Sequence, residues 1–258
     1  MLTFNSHIFE TWVFGLMLPL TRILGFIAIA PFFSSKSFSA PVKVAFGVLL
    51  ALIVIPAVPS VPRIDILSLN GVLVLAQQIL IGLAMGLTAQ IIFTGIEMAG
   101  QISGLMMGFG FASFFDPQTQ NTTPVIGSMM NILAMMVFLS INGHLMLVSG
   151  LVDSFHSFPI AMELSAINGM AIANWGAQIF SIGLQIALPM IAALLITNIA
   201  LGVLTKAAPQ LNIFGIGFPI TICVGFIVFS LMMPSLAPAY RHFLEQGITA
   251  SQSILNAK

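Results

Sequence analysis

Charge is what this sequence lacks most. Seven basic and seven acidic residues are all that 258 positions carry, 5% of the chain against about 25% in a soluble domain. A water-soluble fold is excluded. With 59% hydrophobic residues and a mean hydropathy of +1.11, the chain has too little polar surface to cover 27.5 kDa in water. Its solvent is lipid or other apolar protein. The two charge signs cancel, which removes the basic footprint that nucleic acid requires. Cysteine occurs once, at Cys223, so no internal disulfide can form; in its apolar run it reads as a small buried hydrophobe. Catalytic signatures are missing as well. There is no HExxH, G-x-S-x-G, P-loop, pair of intramembrane aspartates or Cys/His cluster with metal spacing. No enzyme activity, cofactor or metal is expected.

The gaps between the few charges measure what is there instead. Nothing charged falls between Lys43 and Arg63, Asp65 and Glu97, Asp116 and Asp153, Glu163 and Lys206, or Lys206 and Arg241. A helix needs about 20 mostly apolar residues to cross the hydrocarbon core. Six segments result: Thr11–Phe33, Val44–Val61, Leu69–Ile96, Pro124–Leu151, Ala177–Leu204 and Leu211–Ala239. Runs such as Val72–Leu87 are apolar on every face, unlike the alternating strands of a membrane barrel. The expected fold is all-α: a multi-helix integral membrane protein of broken and kinked hairpins, without a soluble domain. Ser34–Pro41, Pro59 and Pro62, Asp116–Pro124 and Pro209 mark the breaks. The first ten residues hold no Lys or Arg and no small-residue cleavage site follows, so no removable leader is expected. The basic residues near span ends tie: Lys36, Lys43 and Lys206 on one side, Arg63, Arg241 and Lys258 on the other. Six conventional spans rarely give that result.

The stretch Glu97–Pro124 is the most informative. Gly100, Gly104 and Gly108 recur every four residues and form a ridge without side chains, along which another helix can approach closely. A helix of this chain and a helix of another subunit fit that ridge equally well. Gly82 and Gly86 repeat the spacing one segment earlier. Directly after the ridge come Met106, Met107, Phe109, Phe111, Phe114 and Phe115, interleaved with small residues and stopped by Asp116-Pro117. Gly108 and Gly110 soften the backbone, and Pro117 pushes Asp116 out of the helical region. Such a segment must be buried in protein or line a cavity. It suits a deformable seal; a re-entrant segment packed as core is the plainer alternative.

Two charges lie within apolar surroundings, Arg22 mid-segment and Glu97 at the head of the ridge. Buried charges are costly and usually paired, so a buried pair between them and snorkelling of Arg22 to an interface are both open. His144, at a segment end, reads as a hydrogen-bonded structural residue. Pro189 and Gly183 could break a transporter helix at a midplane site, but the two halves show no inverted repeat.

The runs AGQISGLMMGFGFASFFDP, INGHLMLVSGLVDSFHSFPI and ALPMIAALLITNIALGVLTKAAPQLNIFGIGFPIT closely resemble the FliR family, export-gate membrane proteins of the flagellar type III secretion system. The resemblance covers about Ala76 to Pro234; Met1–Ala40 is similar mainly in hydrophobic profile, Arg22 and Ala30-Pro31. Gln101 stands where many relatives carry Glu, and Lys206 where Arg is common. The resemblance implies a helical hetero-oligomeric export gate in the bacterial inner membrane at the flagellar basal body. Its partners would be FliP-like, FliQ-like and FlhB-like subunits, and its cargo unfolded flagellar proteins. It also implies a FliP-like region over 1–165 and a FliQ-like hairpin within 166–258, turning around Lys206 and Pro209 on the cytoplasmic side. The family's pore plug falls on Gly108–Asp116. The equivalent subunit of a virulence injectisome, and more remotely a small-molecule transporter, are the alternatives.

Overall fold

The computed structural model describes residues 6–58, 68–111, 125–160, 169–209 and 213–253, and every regular element within them is helical. In chain order these are α1 (Ser6–Ile29), α2 (Ala40–Val54), α3 (Leu69–Met106), α4 (Val125–Ser140), α5 (Gly143–Ser157), α6 (Gly169–Gly176), α7 (Gln178–Ala207) and α8 (Ile213–Ser253). Single 3-10 turns follow α2 at Ile55–Ala57 and α3 at Phe109–Phe111. Helix is the only open-ended element whose backbone polar groups are all satisfied internally, which apolar surroundings demand. Leu69–Met106, Gly169–Ala207 and Gly215–Ser251 are long and apolar enough to cross a membrane, and α4 with α5, bent by 68° between them, form either a fourth, broken span or a re-entrant loop.

Several boundaries differ from the sequence expectation, α3 running on to Met106 and α2 ending at Val54 among them. The segment Pro124–Leu151 is not one helix, because Asn142 takes a left-handed conformation (φ 56) between α4 and α5; Asn tolerates that region better than most residues. The last helix runs to Ser253, well past Ala239, with Pro219, Pro234 and Pro238 inside it. Proline is tolerated within membrane helices where neighbouring groups compensate for the lost donor. The eight-residue α6 fell in a stretch with no assigned segment.

The described helices belong to two compact units, one of Met1–Ile91, Asn142–Gly176 and Leu244–Lys258, the other of Ile92–Ile141 and Ala177–Phe243. In the first, α1 lies against the amino-terminal half of α3 nearly backbone to backbone. A Cβ on Gly25 would sit 2.7 Å from the Ile79 carbonyl, one on Gly86 2.9 Å from the Phe26 carbonyl, and one on Gly82 would overlap the Arg22 carbonyl. The Gly82/Gly86 spacing is thus used within the chain. α2 turns back beside α1 through Phe32, itself left-handed (φ 70), and Lys43 Nζ donates to the Ser34 carbonyl at 2.8 Å. Phe33 stacks on Phe46 at 5.6 Å, beside an apolar cavity of about 180 Å³. Trp175 of α6 donates through Nε1 to the Thr88 carbonyl, 3.1 Å away.

In the second unit the carboxy-terminal half of α3 meets α4, α7 and α8. Phe93 and Phe138 pack edge to face at 5.5 Å, and Ile96, Met130, Ala134 and Met190 are buried. Gly95 and Gly183 face each other across α3 and α7: a Cβ on Gly183 would stand 3.3 Å from the Gly95 carbonyl. Cys223 corrects the reading of a buried thiol, since it lies exposed on the outward face of α8.

Candidate functional site at the end of α3

The glycine ridge and the apolar segment after it form one construction. A Cβ on Gly100 would fall 2.5 Å from the Gly127 Cα and 2.8 Å from the Ile126 carbonyl. The partner at Gly100 is therefore α4 of the same chain. Gly104 faces the Ile126 side chain at 3.6 Å. Gly108, which shares their spacing, lies beyond the helix instead. Its φ of 94 is open to glycine and strained for other residues, and its N–H donates to the Leu105 carbonyl at 3.0 Å. That is a glycine stop at a helix end.

Met107 and Met106 have separated at this stop. Met107 is fully buried, while Met106 is 40% exposed. The last carbonyls of a helix lack intrahelical donors, and the Met107 carbonyl lies 3.2 Å from Thr221 Oγ1 of α8. The same hydroxyl lies 2.9 Å from the Phe218 carbonyl, so its single hydrogen is shared between them. Met107 lies across Gly225, where a Cβ would be 2.5 Å from its Cγ and 2.8 Å from its Sδ. Phe109 meets Phe226 edge to face at 6.5 Å. The Phe111 side chain and all of Phe114, Phe115 and Asp116 lie outside the described residues.

The two charges go to different partners. Arg22 is completely buried and donates from Nε to Gln78 Oε1 (2.8 Å), from one terminal nitrogen to the Ser154 carbonyl (2.8 Å) and Oγ (3.1 Å), and from the other to the Phe158 carbonyl (2.8 Å). Its guanidinium carbon stands 4.3 Å above the Phe155 ring. Ser154 and Phe158 end α5, so the cation caps the negative end of that helix dipole and ties α1, α3 and α5 together. Glu97 is half-buried and accepts from Asn131 Nδ2 at 3.4 Å. Neither the Arg22–Glu97 pair nor a snorkelling Arg22 describes these contacts. His144 lies beside the Phe32 ring at 6.3 Å, and its buried Nδ1 has no hydrogen-bond partner among the described residues, contrary to the hydrogen-bonded role expected of it. Lys206 is exposed in the last turn of α7, and Pro209 is exposed just beyond it.

The grip of α8 on Met107 was missed from the sequence, although a signal exists. Gly217, Thr221 and Gly225 repeat every four residues, the small-residue spacing that singled out Gly100.

Residues 13–247 match the family described as bacterial export proteins, family 1. The flagellar biosynthetic protein FliR of Pectobacterium carotovorum subsp. carotovorum is 43% identical over 99% of this chain and 98% of its own length. FliR of Escherichia coli K12 is 40% identical over 95% and 94%. FliR of Bacillus subtilis 168 is 28% identical over 93% of each. A family match across most of the length, joined to high identity over nearly whole chains, places this chain in family 1 of the bacterial export proteins, as a member of the FliR group.

Proposed function

We propose that this chain is a channel-forming subunit of the flagellar protein-export gate, conducting unfolded flagellar proteins across the inner membrane and sealing the pore between them. The observation that carries this reading is the end of α3. A helix of 38 residues stops at Gly108 and passes into a segment dense in Phe and Met, beginning with Met106 and Met107. Large apolar side chains on a soft backbone exclude water and ions, yet can re-pack around a passing chain. In this reading Met106, Met107, Phe109, Phe111, Phe114, Phe115 and Asp116 form the plug. Gly100 and Gly104 fix the helix that presents it, and Arg22 braces the other end of α3. FliP-like, FliQ-like and FlhB-like subunits complete the gate, with 1–165 the FliP-like region and 166–258 the FliQ-like one. The names of the relatives favour flagellar export over a virulence injectisome.

The test is leakage. Replacing Phe111, Phe114 and Phe115 together with Ala removes the bulk that a dewetted constriction relies on. Cells assembling the variant gate are expected to pass a small solute that the parent excludes. A variant that co-isolates with its partners as the parent does, and stays as tight, would make these aromatics structural core. Single substitutions resolve the case if the triple variant does not assemble.

A further inference from the structure

We infer that Thr221 and Gly225 of α8 are positioning residues that hold the base of the sealing segment, so that opening requires Met107 to leave the surface of α8. The inference rests on the plug reading and adds to it the element that controls the plug. Three contacts carry it. Met107 Cγ, Cε and Sδ all lie within 2.8 Å of the point where a Gly225 Cβ would stand, so this side chain occupies space that only glycine leaves free. One helical turn earlier, Thr221 Oγ1 reaches the Met107 carbonyl at 3.2 Å, a group that the end of α3 leaves without an intrahelical donor. One residue later, Phe226 meets the Phe109 ring. Side chain, main chain and the following aromatic thus all meet adjoining turns of α8. Met106, the adjacent thioether, makes the comparison: it is 40% exposed, whereas Met107 is fully buried. Pro219, two residues before Thr221, has no N–H to donate to the preceding turn, which gives α8 a point of bending just ahead of the grip.

A reversible lock tests this. Met107 Cγ lies 2.5 Å from the Gly225 Cβ position, so the two Cβ atoms are at most about 4 Å apart, within disulfide range. The double variant Met107→Cys with Gly225→Cys, in a Cys223→Ser background, is made in cells that assemble the complete export apparatus. Mild oxidation is expected to form the disulfide in the assembled protein and to abolish secretion of flagellar proteins. Reduction should restore secretion, and neither single-cysteine variant should respond. Absence of the disulfide, or a disulfide that leaves secretion unchanged, overturns the inference. A double variant that does not assemble is replaced by Gly225→Ala. That change should impair sealing alone and be rescued by Met107→Ala, which vacates the contested space; no rescue overturns the inference too. The triple phenylalanine variant reads the seal independently. A leak there with secretion indifferent to the lock rejects the grip alone, and a tight triple variant rejects the plug itself.

Discussion

Gln78→Glu is expected to stabilise this protein, although it adds a second charge to a buried place. Arg22 can only donate, so its Nε contact at 2.8 Å fixes which end of the Gln78 amide faces it. The other end, Nε2, is buried without an acceptor among the described residues. An orphaned buried donor costs about 1–3 kcal/mol, and a carboxylate of the same shape exchanges it for an oxygen that the Arg22 cation attracts. Burying a carboxylate costs several kcal/mol. Here its counter-ion is already in place, and a pair about 4 Å apart gains roughly 4 kcal/mol at an effective dielectric of 20. These opposing contributions leave a net gain of about 1–2 kcal/mol, chiefly from the lost orphan donor. For a chain of this size that corresponds to about 2–8 °C in midpoint. Gln78→Leu should act in the opposite direction, because it strips Arg22 Nε of its acceptor at about 1.5–3 kcal/mol. The assay is thermal loss of monodispersity in detergent, for the protein co-isolated with its partners. A lowered midpoint for Glu together with a raised one for Leu would refute the assigned contacts around Arg22.

Gly100→Ala should cost about 1–3 kcal/mol or more by forcing α3 away from α4. Gly202→Ala, where a Cβ meets nothing within 4 Å, should be neutral or stabilise α7 by up to about 1 kcal/mol. Comparable losses at both positions in the same thermal assay would show that the glycine spacing is not about packing. A cysteine replacing Lys206, in a Cys223→Ser background, should react with an impermeant thiol reagent from the cytoplasmic side; labelling only from the periplasm would overturn the FliQ-like hairpin.

Legibility followed sequence distance. Long charge-free gaps announced α3, α7 and most of α8, because in lipid the absence of charge is itself the structural signal. Gly108 as a stopping point was readable from the glycines and aromatics around it. The break at Asn142 was not, since both flanks are uniformly apolar and a single left-handed residue leaves hydropathy unchanged. Nor was the end of α8, since the charge-free run stops at Arg241 while the helix continues through a more polar stretch to Ser253. The surroundings of Arg22 were beyond reach: its acceptors lie 56, 132 and 136 residues along the chain and are an amide, a hydroxyl and two carbonyls. A search for a buried charge looks for an acid, and carbonyls occur at every position. The contact of Met107 with Gly225 was equally remote, but its small-residue spacing was in plain view.

Helix α3 also works as a ruler. Leu69 and Leu105, near its two ends, are 79% and 67% exposed, and the 36 residue steps from one to the other rise about 54 Å. A hydrocarbon layer is about 30 Å thick. Fitting both leucines inside it would take a tilt of about 56°, beyond the 0–40° that membrane helices adopt. In such a layer one end of this proline-free helix would stand outside the oil with its leucine uncovered by the described residues. Outside lipid, only another protein can cover it at no cost in water contact. The length of one helix thus leaves an apolar end that a partner protein would fit.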